Sequence, residues 1–118
     1  MILTIDAASG VAPFEQVRQQ IIAAVLSGEL AAGAKLPTVR RLADDLGIAP
    51  NTVARSYREL ERDEVIETRG RNGSFVAASG DARHRHGQAA ALAFVQRTRQ
   101  LQLSDDEAVE LVRSALST

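Results

Sequence analysis

A chain of 118 residues with 45% hydrophobic side chains holds enough apolar material for one packed domain, or a small domain with an appendage, and is set apart from disordered sequences. It has no cysteine, which excludes disulfides, thiolate chemistry and cysteine-bound zinc, and no apolar run approaches the ~18 residues of a membrane span. The net charge is −1, but eight of the fourteen basic residues fall within residues 35–79, against seven acidic ones there, so the charge sum alone decides nothing about an anionic partner.

The opening Met1 to Asp6 lacks the basic start and long apolar stretch of a secretion signal, so the expected location is the cytoplasm and no membrane partner is expected. Pro13 precedes Phe14, Val17, Ile21, Val25 and Leu26, whose spacing predicts a helix that Ser27-Gly28 ends. Glu29 to Leu36 reads as an irregular connector or a short extended segment. Thr38 is a helix-capping residue, and Val39, Leu42, Ala43 and Leu46 then give one buried face of a short helix closed by Gly47. Pro50 suits the first position of the next helix, because its missing N–H has no partner there anyway. Val53, Tyr57 and Leu60 form its inward stripe and leave Asn51, Thr52, Arg55, Arg58 and Arg62 largely outside.

Two short helices joined by a tight turn containing glycine make a helix-turn-helix. After Asp63-Glu64 the period changes to that of strands, Val65 to Thr68 and Ser74 to Ala77. Between them, Gly70 and Asn72-Gly73 are expected to supply the positive-φ positions of a hairpin. That hairpin carries Arg69 and Arg71 near its tip, where a wing touches phosphate or a minor groove. Ser79-Gly80 marks a break. Two helices are expected beyond it, from about Ala82 to Leu101 and from a capping box at Ser104 and Glu107 onward. Joined at Gln102-Leu103, they read as a hairpin with too little core of its own.

From Pro13 to Val76 the chain resembles the GntR family of bacterial regulators. The resemblance runs through Pro13-Phe14-Glu15-Gln16-Val17, Ser27-Gly28-Glu29-Leu30, Gly33 to Arg40, Leu42 to Ile48, Asn51-Thr52-Val53, Tyr57 to Glu61 and Gly70 to Val76. The two-helix tail is similar to that of the YtrA-type subfamily, and the resemblance implies a homodimer assembled through it. The expected fold is therefore mainly α with a small β-hairpin wing (α+β). It comprises a winged helix-turn-helix DNA-binding domain at 1–78 and a dimerising helical hairpin at 79–118.

The resemblance implies a sequence-specific regulator of transcription, expected to repress, that binds a pseudo-palindromic duplex operator. Thr38 and Arg40 stand at family positions that touch phosphate or bases. Asn51, Thr52 and Arg55 belong to the recognition helix, and Arg69, Arg71 and Gly73 to the wing. Leu92, Val95, Leu111, Val112 and Leu116 are the expected dimer residues. Ala49-Pro50 departs from the Ser-Arg of many members, which removes one cap and one DNA-contacting arginine and shifts weight to Asn51 and Arg55.

Other chemistries are poorly supported. His84 and His86 are spaced by two, which puts them on different sides of a helix, and no Cys or further His completes a metal set. Neither a nucleophile triad nor a phosphate loop is present, so no catalysis and no cofactor are expected. At 3% aromatic residues, a stacking platform for single strands is missing. Two alternative readings stay open: a winged helix used for protein docking, and a regulator gated by a small-molecule effector in a dimer crevice. No polar constellation for an effector stands out.

Overall fold

Pro13 occupies the first position of helix α1 (Pro13–Leu26), whose inward face buries Val17, Ile21 and Ala24 at spacings of four and three. The computed structural model from which this follows describes residues 1–77 and 82–118, so the expected break at Ser79-Gly80 and the expected boundary at 78/79 lie outside the described residues. Two compact units are formed, Met1–Arg83 and His84–Thr118. Among the described residues no helix is long and apolar enough to cross a membrane.

Helix α2 (Val39–Leu46) starts where the sequence places it, with the Thr38 hydroxyl accepting from the Arg41 amide at 3.1 Å. Gly47 ends it with φ +67°, the left-handed region that a residue with a Cβ enters only at a cost. Helix α3 (Pro50–Arg62) follows α2 after three residues, with Pro50 at its first position and Ala49 giving no side-chain cap. It buries Val53, Ser56, Tyr57 and Leu60 against α1 and α2. Three short helices alone enclose little volume, and the core is completed by Leu36 and by Val65, Ile66 and Val76 of the wing base. Fully buried Ile21, Leu60 and Ile66 each contribute roughly 1.5–3 kcal/mol by leaving water.

The wing pairs β1 (Ile66–Thr68) with β2 (Ser74–Val76) antiparallel, in the register Ile66↔Val76, Glu67↔Phe75 and Thr68↔Ser74. The connector after α1 is irregular over most of its length, as bends and turns, and is extended only around Lys35. Lys35 bridges Phe75, with Gly33 N–H donating to Val76 O at 2.9 Å and Leu36 N–H to Ser74 O at 2.8 Å. The connector thus adds a third edge beside β2. The turn differs in one detail from expectation. Gly70 and Gly73 have φ of +53° and +103°, but Asn72 lies in a single 3-10 turn, Gly70–Asn72. That turn is closed by Asn72 N–H to Arg69 O at 3.0 Å, and the positive φ values fall on Gly70 and Gly73 without Asn72.

The segment before α1 is held by two glutamines of α1 acting in place of a strand. Gln20 donates to Thr4 O at 2.7 Å and accepts from Thr4 N–H at 3.0 Å, and Gln16 does the same with Asp6 at 3.0 and 2.9 Å. Leu3 and Ile5 pack on the core between these clasps.

The second unit holds most of α4 (Ala82–Gln100) and all of α5 (Asp105–Leu116). Gln102, at φ +59°, turns the chain between them. Ser104 and Glu107 form the expected capping box: the Ser104 hydroxyl accepts from Glu107 N–H and the Glu107 carboxylate from Ser104 N–H, both at 3.1 Å. Only Thr98 and Ala108 are buried among the described residues of this unit.

Candidate nucleic-acid interface

The buried face of α3 dictates what its other face offers. With Val53, Ser56, Tyr57 and Leu60 inward, the opposite stripe falls on Asn51, Arg55, Arg58 and Arg62, at spacings of four, three and four, and all four are exposed. Thr52 lies on the flank, half-buried. Two hydroxyls lock the helix in place. Tyr57 donates to Pro37 O at 2.7 Å, which fixes the residue before the Thr38 cap and hence the approach of α2 to α3. Ser56, wholly buried, donates to Phe14 O at the start of α1. Burial also pushes the Tyr57 phenol well above its ordinary 10.0, so it stays a neutral donor.

The expected contact residues fall on three elements of one unit. Thr38 and Arg40 are at the start of α2, Asn51, Thr52 and Arg55 on the first two turns of α3, and Arg69, Arg71 and Gly73 in the wing. Arg40 and Arg71 are exposed and have no ion-pair partner among the described residues. The Thr38 oxygen accepts from the Arg41 amide in its cap, which leaves its O–H free to donate. Arg55 lies with its Cζ 3.6 Å from the centroid of the Phe14 ring and its Nε 3.6 Å from a Glu59 oxygen. Arg69 stacks on Phe75 at 4.2 Å and donates from Nε and Nη2 to Glu67 at 3.0 and 2.6 Å. Gly73 lets the Lys35 side chain pass, since a Cβ there would sit 3.3 Å from Lys35 Cε.

Three participants escape a reading of the sequence as contact residues. Lys35 reads as part of a connector, and only its bridge to Phe75 puts it at the wing base. Arg58 continues the stripe from Asn51 by seven residues, a spacing that could have found it. Phe14 reads as an apolar residue of the α1 stripe, and nothing local announces that its ring meets Arg55 forty-one positions on. Near it, the hydrogen bond from Arg18 holds the Glu15 carboxyl below its ordinary value, with a smaller contribution from the Arg55 charge. Among the described residues no three His, Asp or Glu side chains gather as a metal ligand set. Of the expected dimer residues, Leu92, Leu111, Val112 and Leu116 are exposed, and Val95 is half-buried.

Three helices around a tight turn, followed by a two-stranded wing, define a winged helix-turn-helix protein. Residues 13–76 match the bacterial regulatory proteins of the gntR family, and the chain belongs to that family. It is 52% identical over 75 residues to the HTH-type transcriptional regulator Rv1152 of Mycobacterium tuberculosis, over 64% of this chain and 62% of that one. It is 40% identical over 75 residues to the HTH-type transcriptional repressor YtrA of Bacillus subtilis, over 64% of this chain and 58% of that one. The chain thus spans less than two thirds of the length of either curated relative. Among solved structures it is similar to YtrA from Sulfolobus acidocaldarius, a GntR-family transcription factor, with a TM-score of 0.63 and 28% identity over 96% of this chain and 95% of that one. The similarity to YtrA-type regulators expected from the tail is borne out.

Proposed function

We propose that this chain regulates transcription by binding duplex DNA as a homodimer, with α3 in the major groove and the wing on the flanking backbone. One observation carries the reading: of the eight cations of residues 35–79, five are left without an acidic partner among the described residues. Asp45, Glu59 and Glu67 are engaged by Arg41, Arg55 and Arg69, and Glu61 accepts from the Thr68 hydroxyl. Lys35, Arg40, Arg58, Arg62 and Arg71 have no ion-pair partner among the described residues, which leaves five cations for phosphates on a segment whose summed charge is close to zero. Asn51 and Arg55, on the first two turns of α3, have the donors that read adenine and guanine edges.

The second copy follows from the tail. A second unit that buries only Thr98 and Ala108 among its described residues while exposing Leu92, Leu111, Val112 and Leu116 needs another apolar surface, since isolated helices of this length are marginal in water. A second copy of the same unit supplies one, and twofold pairing sets the two α3 helices on half-sites about one helical turn, ~34 Å, apart. The repressor name of a relative supports repression as the outcome, by occupation of a promoter.

Selection from a randomised duplex library tests the reading. A pseudo-palindrome with half-sites about one turn apart is expected, and no enrichment would contradict it. On the selected duplex, Arg40→Ala should weaken binding and reduce the salt slope by about 1. Unchanged affinity would remove Arg40 from the interface.

A further inference from the structure

Seven arginines and one lysine face outward from the helix-turn-helix and wing without being equivalent. Most have a flexible side chain and a free charge, which suits a phosphate at any base sequence. Arg55 and Arg69 are different, because each lies against an aromatic ring and beside a carboxylate. The decisive difference between those two is the state of their N–H donors. Arg69 spends Nε and Nη2 on Glu67. Arg55 approaches Glu59 only to 3.6 Å, beyond hydrogen-bond length, and makes no hydrogen bond among the described residues.

We infer that Phe14 is a positioning residue for Arg55: its ring holds the guanidinium by one face, so that an unoccupied fork of N–H donors is presented to one guanine in each half-site. This rests on the DNA-binding reading above. A cation over a ring uses the π face and leaves the in-plane donors open, and those donors match the O6 and N7 acceptors of guanine in the major groove. The ring cannot drift independently of the arginine. Ser56, the residue after Arg55, donates to the Phe14 carbonyl and is itself wholly buried, so ring and guanidinium are anchored to the same turn of α3. Glu59, one turn further on, offsets charge without occupying the fork. An arginine ordered before the encounter loses less rotamer freedom on binding than Arg58 or Arg62, which lie on the same stripe with no ring beneath them among the described residues.

The test uses the full chain and the duplex that the wild-type protein selects from a randomised library, with each base pair then substituted singly. The wild type should prefer guanine at one position per half-site, and Arg55→Ala should abolish that preference. Phe14→Leu should reduce it by roughly two- to fivefold, the worth of one exposed cation–π contact, while Phe14→Tyr keeps it. In the Arg55→Ala background, Phe14→Leu should change nothing further. Thermal melts of each variant separate these effects from folding. If Phe14→Leu weakens binding equally for all four bases, or acts as strongly without Arg55, the ring is only part of the packing and the inference is overturned. If Arg55→Ala leaves a defined site read as before, the inference fails while DNA binding stands. A wild-type protein that enriches no sequence at all would overturn both.

Discussion

The two units of this chain solve the same problem in opposite ways. In Met1–Arg83, helices of only eight to fourteen residues are made stable by a shared core, to which α1, α2, α3 and the wing all contribute wholly or nearly wholly buried side chains. In His84–Thr118, α5 is well capped, yet among the described residues only Thr98 and Ala108 are buried. Caps and periodicity start and stop a helix, but burial decides whether it persists. In the proposed function the first unit is a self-sufficient reading head, and the second is half of an interface.

The largest effect should come from emptying the first core. Leu60→Ala, at a wholly buried position, should cost about 2–5 kcal/mol in chemical denaturation. Leu111→Ala, at a position 47% exposed, should leave the melting of the first unit unchanged and lower only the affinity between copies. Equal losses from both would erase the contrast. Next is the lock between α2 and α3. Tyr57→Phe leaves the Pro37 carbonyl without its donor and should cost about 1–3 kcal/mol.

The same phenol gives a pH signature. Burial raises its folded pKa above the ordinary 10.0, so the folded state holds the proton more tightly than the unfolded chain. The Tyr57 contribution is complete below that value and declines as pH rises beyond it; in Tyr57→Phe this part of the alkaline decline should vanish. The smallest effect belongs to the second unit. Ser104→Ala removes one arm of the capping box and should cost about 1 kcal/mol, read as reduced α5 helicity and weaker association.

Most of the fold was legible because its signals are local. Thr38, Gly47, Pro50 and Ser104 each punctuate a helix by a mechanism that needs only near neighbours, and the structure places each where that mechanism requires. Partnerships across the chain were not legible. The clasps of Gln16 and Gln20, the bridge from Lys35 to Phe75 and the contact of Phe14 with Arg55 join residues with no periodic relation. Glu64, in the left-handed region after α3 at φ +60°, escaped because no glycine marks it. The arginines of the candidate interface were found from their place outside the apolar stripes. Which are paired and which are free depends on side-chain geometry, and the proposed function assigns the free cations of this nearly neutral segment to a polyanion.

Whether two copies pair through the second unit decides most about the proposed function. Sedimentation equilibrium of the full chain, run beside Leu111→Asp, measures this. A reversible dimer of the wild type, reduced to monomer by the substitution while the first unit stays folded, is the expected result. A wild-type protein that stays monomeric at concentrations well above those needed to retard duplex DNA would contradict it.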